Sequence, residues 1–359
     1  MKNLSVMIKP ASSLCNMRCA YCFYADVASC RKKASYGIMK KEVAAALIGN
    51  IFAVLDKGDH ITFAFQGGEP CLAGLDFFEF FVEQVRTTAP FGVKVHYALQ
   101  TNGLAMDDDW CNFFLRNQFL LGLSLDCDIT LHDNNRIDSS GKGTFNSIIK
   151  AKKLLDRYGV AYNILCVLSA ESARRATRIW NFILQEKISY IQFIPCLEPL
   201  NEKSPHALTS KKFYQFYATL FPLWKKECEK GNRVSVQLFE DLNTLFMHGR
   251  RTTCGLSGGC TPQIIVEADG SVYPCDFYVL DEYKTGNLTI QTLEEIFEAI
   301  VKSDFIKAPQ MPVHCADCEY YKWCKGGCKR MAQAVYGKDC GMRLFLDEYL
   351  YELLSSQGF

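Results

Sequence analysis

The chain has 359 residues, 49% hydrophobic and 22% charged, with a formal net charge of +1. That composition supplies a sizeable core, in one large domain or two to three smaller ones. Basic and acidic residues are interspersed, which excludes the cationic footprint of a nucleic-acid binder or an anionic-membrane surface. No N-terminal basic segment runs into a long apolar stretch, and no window reaches the roughly 18 uninterrupted apolar residues of a membrane span. A cytoplasmic protein without membrane or nucleic-acid partners is expected.

Short runs rich in β-branched and aromatic residues predict six strands: "SVMIKPAS" from Ser5, "HITFAFQGG" from His60, "KVHYALQTNG" from Lys94, "FLLGLSLD" from Phe119, "AYNILCVLS" from Ala161 and "YIQFIPCL" from Tyr190. Segments of helical period lie between them, from Lys40, Asp76, Asp107, Phe145 and Ala173. Strand and helix alternate about every 30 residues, the rhythm of parallel strands with right-handed crossovers. The fold class is therefore α/β, and the count of units fits a partial (β/α)6 TIM-like barrel over residues 1–205. The polar stretch Leu200–Ser210 ends it, and a bridging helical segment, 206–253, follows with Pro222 as an expected kink. A cysteine-rich domain is placed at 254–345 and a C-terminal helix at 346–359, expected to cover the later cysteines.

Chemistry in such folds sits beyond the C-terminal ends of the strands. There the first strand runs into a loop with Cys15, Cys19 and Cys22, the second into "QGGEP" (Gln66–Pro70), the third into "QTNG", and the fourth into "SLD". The chain holds eighteen cysteines without an export signal, a pattern that favours metal over disulfides. Three thiolates leave one position of a metal site open, whereas structural zinc takes four. A four-iron cluster on three thiolates has one iron free for a small chelating ligand. Of the others, Cys30, Cys71, Cys111, Cys127, Cys166, Cys196 and Cys228 are scattered singly and read as small apolar residues.

Cysteine, three residues, cysteine, one residue, aromatic, cysteine (Cys15, Cys19, Tyr21, Cys22), followed by "GGEP", resembles the radical S-adenosylmethionine superfamily. The resemblance implies a [4Fe-4S] cluster on the three cysteines that binds S-adenosylmethionine. It places Gly67, Gly68 and Glu69 at the methionyl amine, Tyr21 near the adenine, and Ser124 with Arg136 at the carboxylate or ribose. The later order, Cys254, Cys260, Cys275, Cys315, Cys318, Cys324, Cys328 and Cys340, resembles the SPASM extension with two auxiliary [4Fe-4S] clusters. By that resemblance Cys254, Cys260, Cys275 and Cys328 hold one, and Cys315, Cys318, Cys324 and Cys340 the other. Two tetrathiolate zinc sites are the alternative reading of the eight.

"IKPASSLCNMRCAYCFY", "FAFQGGEP", "LQTNG", "NRVSVQLF", "DGSVYPCDFYVL" and "KGGCKR" are similar to the anaerobic sulfatase-maturating enzymes over nearly the whole chain. That family oxidises a sulfatase cysteine or serine to formylglycine. The similarity implies Asp276, directly after Cys275, as general base, and Tyr24 and Gln66 as substrate contacts. Implied partners are an unfolded sulfatase segment or peptide and a low-potential electron donor such as flavodoxin or ferredoxin, with the enzyme a monomer. A related SPASM enzyme that installs a thioether or other crosslink in a ribosomal peptide, and a non-enzymatic zinc protein, are the competing readings. Cys127 and Asp128 stand where that family has glycine and proline, and Cys71 where it has threonine.

Overall fold

The computed structural model describes residues 1–256, 258–307 and 310–356. Its principal strands are β1 (Asn3–Ile8), β2 (His60–Phe65), β3 (Lys94–Thr101), β4 (Phe119–Ser124), β5 (Tyr162–Leu168), β6 (Tyr190–Pro195), β7 (Ser235–Val236), β8 (Ile264–Val266), β9 (Ser271–Tyr273) and β10 (Gly286–Asn287). The principal helices are α1 (Phe23–Ser29), α2 (Lys41–Phe52), α3 (Leu75–Thr88), α4 (Asp108–Arg116), α5 (Ile129–Asn135), α6 (Phe145–Tyr158), α7 (Ala176–Gln185), α8 (Ser210–Glu229), α9 (Gln237–His248), α10 (Leu293–Lys302) and α11 (Gly341–Ser356).

Two compact units are each assembled from separated stretches of chain. The first comprises Met1–Ser124, Ile137–Tyr162 and Pro262–Ile306. Here β1, β2, β3 and β4 pair in parallel, with Val6 opposite Phe63, Phe63 opposite Tyr97, and Tyr97 opposite Phe119. Alternation along "HITFAF" buries Ile61, Phe63 and Phe65 completely or nearly so. Phe78 and Phe81 from α3 pack edge-on against Phe65, and Phe113 of α4 meets Phe119. Helix α4 begins where predicted because the Asp107 carboxylate accepts from the Trp110 N–H at 2.9 Å. On the other flank of β1 lies β8, parallel, with Val6 opposite Ile264 and Ile8 opposite Val266. Strands β9 and β10 then continue antiparallel.

The second unit comprises Leu125–Arg136, Asn163–Thr261 and Lys307–Phe359. Its strands β5, β6 and β7 are parallel neighbours. Helix α7 starts at Ala176, later than predicted, because Ser169 and Ser172 exchange hydroxyl and backbone hydrogen bonds in the preceding turn. Helix α8 runs unbroken through Pro222. The C-terminal helix starts at Gly341, and residues 357–359 of the predicted segment lie outside the described residues. It leaves Cys340 and lies along α8 and α9, while its first turn stays beside the later cysteines: Arg343 N–H donates to the Cys340 sulfur at 3.4 Å, and the Arg343 charge reaches Cys315. Phe345 packs on Tyr217, Phe221 and Phe239, and Lys225 pairs with Glu352 at 2.6 Å. Among the described residues, no helix is long and apolar enough to cross a membrane.

Candidate active site

In the first unit the three predicted loops beyond β1, β2 and β3 are bonded to one another. The "GGEP" loop lies against the chain that leads to Cys15: Gly68 N–H donates to the Ser12 carbonyl and Glu69 N–H to the Leu14 carbonyl, both at 2.8 Å. A Cβ at Gly68 would stand 2.0 Å from the Leu14 oxygen. The close backbone approach therefore requires glycine there. Gly67 has φ +130, and a Cβ there would meet the Ser12 oxygen at 2.8 Å. Gly68→Ala is expected to destabilise the protein by about 3 kcal/mol by overpacking and to reduce iron retention. Thermal unfolding and iron assay check this, and normal values would mean the two loops part easily.

Glu69 is 1% exposed, and its carboxylate accepts from Cys71 N–H (3.0 Å), Thr101 hydroxyl (2.9 Å) and Asn102 N–H (2.7 Å). Burial raises its proton affinity, and these donors oppose that rise. The side chain is a latch between the β2 and β3 loops. The same latch explains Cys71, whose buried thiol lies 3.8 Å from the Thr101 hydroxyl. Of the leading cysteines Cys15 is exposed, while Cys19 and Cys22 are half-buried, and all three are outside any disulfide. Cys22 also caps α1, with its sulfur 3.4 Å from Ala25 N–H. Tyr21 lies half-buried between Cys19 and Cys22. A short loop with three thiols outside any disulfide, Cys15 exposed among them, fits a cluster that keeps one iron open.

Asp276 lies in the same unit, three residues beyond Tyr273, the last residue of β9, at the start of a short 3-10 turn. The pairing of β8 with β1 sets it against Lys9, which follows β1. Lys9 is fully buried; its ammonium donates to one Asp276 oxygen at 2.5 Å, and Gln66 donates to the other at 3.1 Å. Lys9 also stands 3.8 Å over the Tyr24 ring. Tyr24 is 2% exposed and donates its hydroxyl to Glu267, which pairs with buried Arg31 at 2.6 Å. Burial, then the Glu267 charge, raises the Tyr24 phenol well above its usual range. Tyr24 is thus a floor beneath Lys9. Lys9, Arg31 and Glu267 were absent from the sequence-based site. Lysine after a strand reads as surface, and "VEADG" reads as a turn, although "IIVEADGSVY" carries a hairpin signal around Asp-Gly.

Ser124 ends β4 and is half-buried. In the second unit, Arg136 forks onto Asp126 at 3.2 and 3.3 Å, and Asp126 also accepts from Val167 N–H. Buried His132 accepts from Asp126 N–H at 3.3 Å and is pushed down to about 4, first by burial and then by Arg136. The imidazole is neutral when folded, so stability is complete above pH 6.5 and falls as pH drops towards 4, by about 3 kcal/mol. Thermal melts over that window should be flatter in His132→Gln. Asp128 caps α5 through Leu131 N–H and pairs with Arg175 and Arg178. These bonds account for aspartate at this departure from the family pattern, and Cys127 is buried beside it.

Among the later cysteines, Cys315, Cys318, Cys324 and Cys340 lie within one another's electrostatic reach in the second unit. Cys328 faces Cys254 and Cys260 instead, and its N–H donates to the Gly255 carbonyl at 3.1 Å. Burial pushes the Cys340 thiol up to about 11 and raises Cys260, Cys315, Cys324 and Cys328. A cationic iron–sulfur core makes the thiolate favourable in such places, so the donor set fits one. Among the described residues, no three Cys, His, Asp or Glu side chains are drawn together around a single-ion position. Cys275 belongs to the first unit, directly before Asp276.

Two family models match the chain, the Radical SAM superfamily over residues 10–174 and an iron-sulfur cluster-binding domain, SPASM, over 259–328. A cysteine-type anaerobic sulfatase-maturating enzyme of Clostridium perfringens is 41% identical over 97% of this chain and 95% of its own. A serine-type enzyme of Bacteroides thetaiotaomicron is 28% identical over 92% of this chain and 83% of its own. The solved structure of native anSMEcpe with bound AdoMet and Cp18Cys peptide superposes with TM-score 0.91, at 37% identity and 98% coverage of both chains. Streptococcus suis SuiB shares the fold, with TM-score 0.63 at 16% identity over 94% of this chain and 76% of its own. The chain therefore belongs to the anaerobic sulfatase-maturating enzymes, radical S-adenosylmethionine enzymes built on a partial (β/α)6 barrel with a SPASM iron–sulfur domain.

Proposed function

We propose that this enzyme oxidises the active-site cysteine of a sulfatase segment to Cα-formylglycine under anaerobic conditions. Asp276, held on both oxygens by Lys9 and Gln66, is the observation that carries the reading. The choice of cysteine over serine follows the relatives, since the cysteine-type enzymes are 39–42% identical and the serine-type 28–29%. Cys15, Cys19 and Cys22 would hold the cluster that binds S-adenosylmethionine. Cys254, Cys260, Cys275 and Cys328 would hold one auxiliary cluster, and Cys315, Cys318, Cys324 and Cys340 the other. The Gly67–Gly68 backbone and Glu69 would receive the methionyl amine, with Tyr21 near the adenine and Ser124 and Arg136 towards the carboxylate or ribose.

When bound, the cofactors supply a carbon radical that abstracts hydrogen and an acceptor for one electron. The substrate CH2–SH gives up one hydrogen atom, one proton and one electron to become a thioaldehyde, and water then replaces sulfur to leave the aldehyde and hydrogen sulfide. Asp276 takes the proton as carboxylate. Lys9 opposite it stabilises that charged form before transfer, and Gln66 fixes the second oxygen at the substrate end. Tyr24 acts on the substrate through Lys9, whose ammonium it underlies. The same reading includes a flavodoxin- or ferredoxin-like electron donor, a cytoplasmic location and a monomeric enzyme.

Incubation of the iron-loaded enzyme with S-adenosylmethionine, reductant and matched cysteine and serine peptides tests the proposal by mass spectrometry. Aldehyde from the cysteine peptide supports it; cofactor cleavage with an unchanged peptide, or with a crosslinked one, counts against it. Lys9→Met strands the Asp276 charge, so a loss of about 3 kcal/mol in stability is expected. Formylglycine per deoxyadenosine should fall at least tenfold in this variant, and an unchanged ratio would remove Lys9 from the site.

A further inference from the structure

Asn102, in the "TNG" turn after β3, is 8% exposed, and its N–H and both side-chain polar atoms are engaged. Its N–H donates to Glu69, and its side-chain oxygen accepts from Leu104 N–H at 3.0 Å. That bond fixes which way the amide faces, because the oxygen must point at a donor. The NH2 group is therefore turned towards the cysteine loop. There it donates to the Asn16 side-chain oxygen at 2.7 Å and lies 3.7 Å from the Cys15 sulfur. One hydrogen serves Asn16 and the other is left for the sulfur. Met17 N–H approaches the same sulfur at 3.4 Å, so Cys15 is the thiol with donors from two directions.

We propose that Asn102 is a positioning residue that donates a hydrogen bond to the Cys15 thiolate and raises the reduction potential of the cluster held there. Hydrogen bonds to cluster sulfurs are one of the protein's means of setting potential. The reduced cluster carries more negative charge on its sulfurs, so a donor at Cys15 stabilises it more than the oxidised form. Asn102 also links this donor to the Glu69 latch, and so couples the "GGEP" loop to the ease of reduction. The inference rests on Cys15 as a cluster ligand and is independent of which peptide the enzyme oxidises.

The test is a reductive titration of the iron-loaded enzyme, following the paramagnetic signal that changes when S-adenosylmethionine is added. Asn102→Leu removes the donor, and Asn102→Asp keeps the acceptor for Leu104 while placing an anion opposite the sulfur. Both should shift the midpoint of this signal to more negative values, the aspartate further, and leave the auxiliary signals in place. An unshifted midpoint in a variant that retains wild-type iron would overturn the proposal. In case neither variant loads, the wild-type protein labelled with 15N at asparagine side-chain amides gives a second readout. Pulsed paramagnetic resonance should show a 15N coupling to this cluster, and its absence would equally overturn the assignment. Full iron content with all three signals present, but with an unshifted midpoint or no 15N coupling, would show the ligand reading intact while the Asn102 assignment failed.

Discussion

Asp276→Asn is expected to cleave S-adenosylmethionine at close to the wild-type rate while formylglycine formation falls by about 10²-fold or more, the usual cost of losing a positioned base. The amide preserves shape and accepts from Lys9 through its oxygen, yet it takes up no proton. Nothing in the substitution touches Cys15, Cys19 or Cys22, so radical initiation should survive. The substitution also removes the counter-ion of a lysine that is fully buried. A drop in thermal stability should therefore accompany the loss, because one half of a buried ion pair is costly when left alone. The double variant Asp276→Asn with Lys9→Met should recover part of that stability without recovering product, a non-additivity that separates pairing from catalysis. Deoxyadenosine measured by chromatography beside peptide mass gives the ratio. Normal product per deoxyadenosine in Asp276→Asn would remove it as the base.

Cys22→Ala should abolish both cofactor cleavage and product and lower iron by about four atoms per chain, one whole four-iron cluster. The expectation is stronger than for loss of a buried side chain in general, because two thiolates cannot retain a cluster that already has an open iron. The sulfur's approach to Ala25 N–H contributes a helix cap whose loss costs only about 1 kcal/mol. Cys30→Ala, eight residues on and outside every ligand set, is the control. It should keep iron, cleavage and product. If Cys22→Ala retained cleavage, the three-cysteine loop would not be the initiating site.

The strand and helix succession was legible because its signals are local: "HITFAF" alternates in burial as a half-buried strand must, and Asp107 announces α4 by capping it. The glycine pair was legible for the same reason, although its physical cause, the approach of Gly68 to Leu14, appears only in three dimensions. The charged network under Asp276 was not legible. It depends on Val6 lying opposite Ile264, a parallel pairing between strands far apart in sequence, and parallel pairing leaves no turn to announce it. Once that pairing is made, Lys9 necessarily faces the turn after β9. A lysine buried beside an aspartate reads, in sequence alone, as any surface lysine. Glu69 was recognised as part of a motif, but that its carboxylate also accepts from Cys71, Thr101 and Asn102 is revealed only by the hydrogen-bond geometry.

The most direct measurement is the mass of a sulfatase-derived cysteine peptide after anaerobic incubation with the iron-loaded enzyme, S-adenosylmethionine and reductant. The account predicts that sulfur and two hydrogens are replaced by oxygen at that cysteine, in step with the deoxyadenosine released. Deoxyadenosine released while the cysteine keeps its sulfur would contradict it.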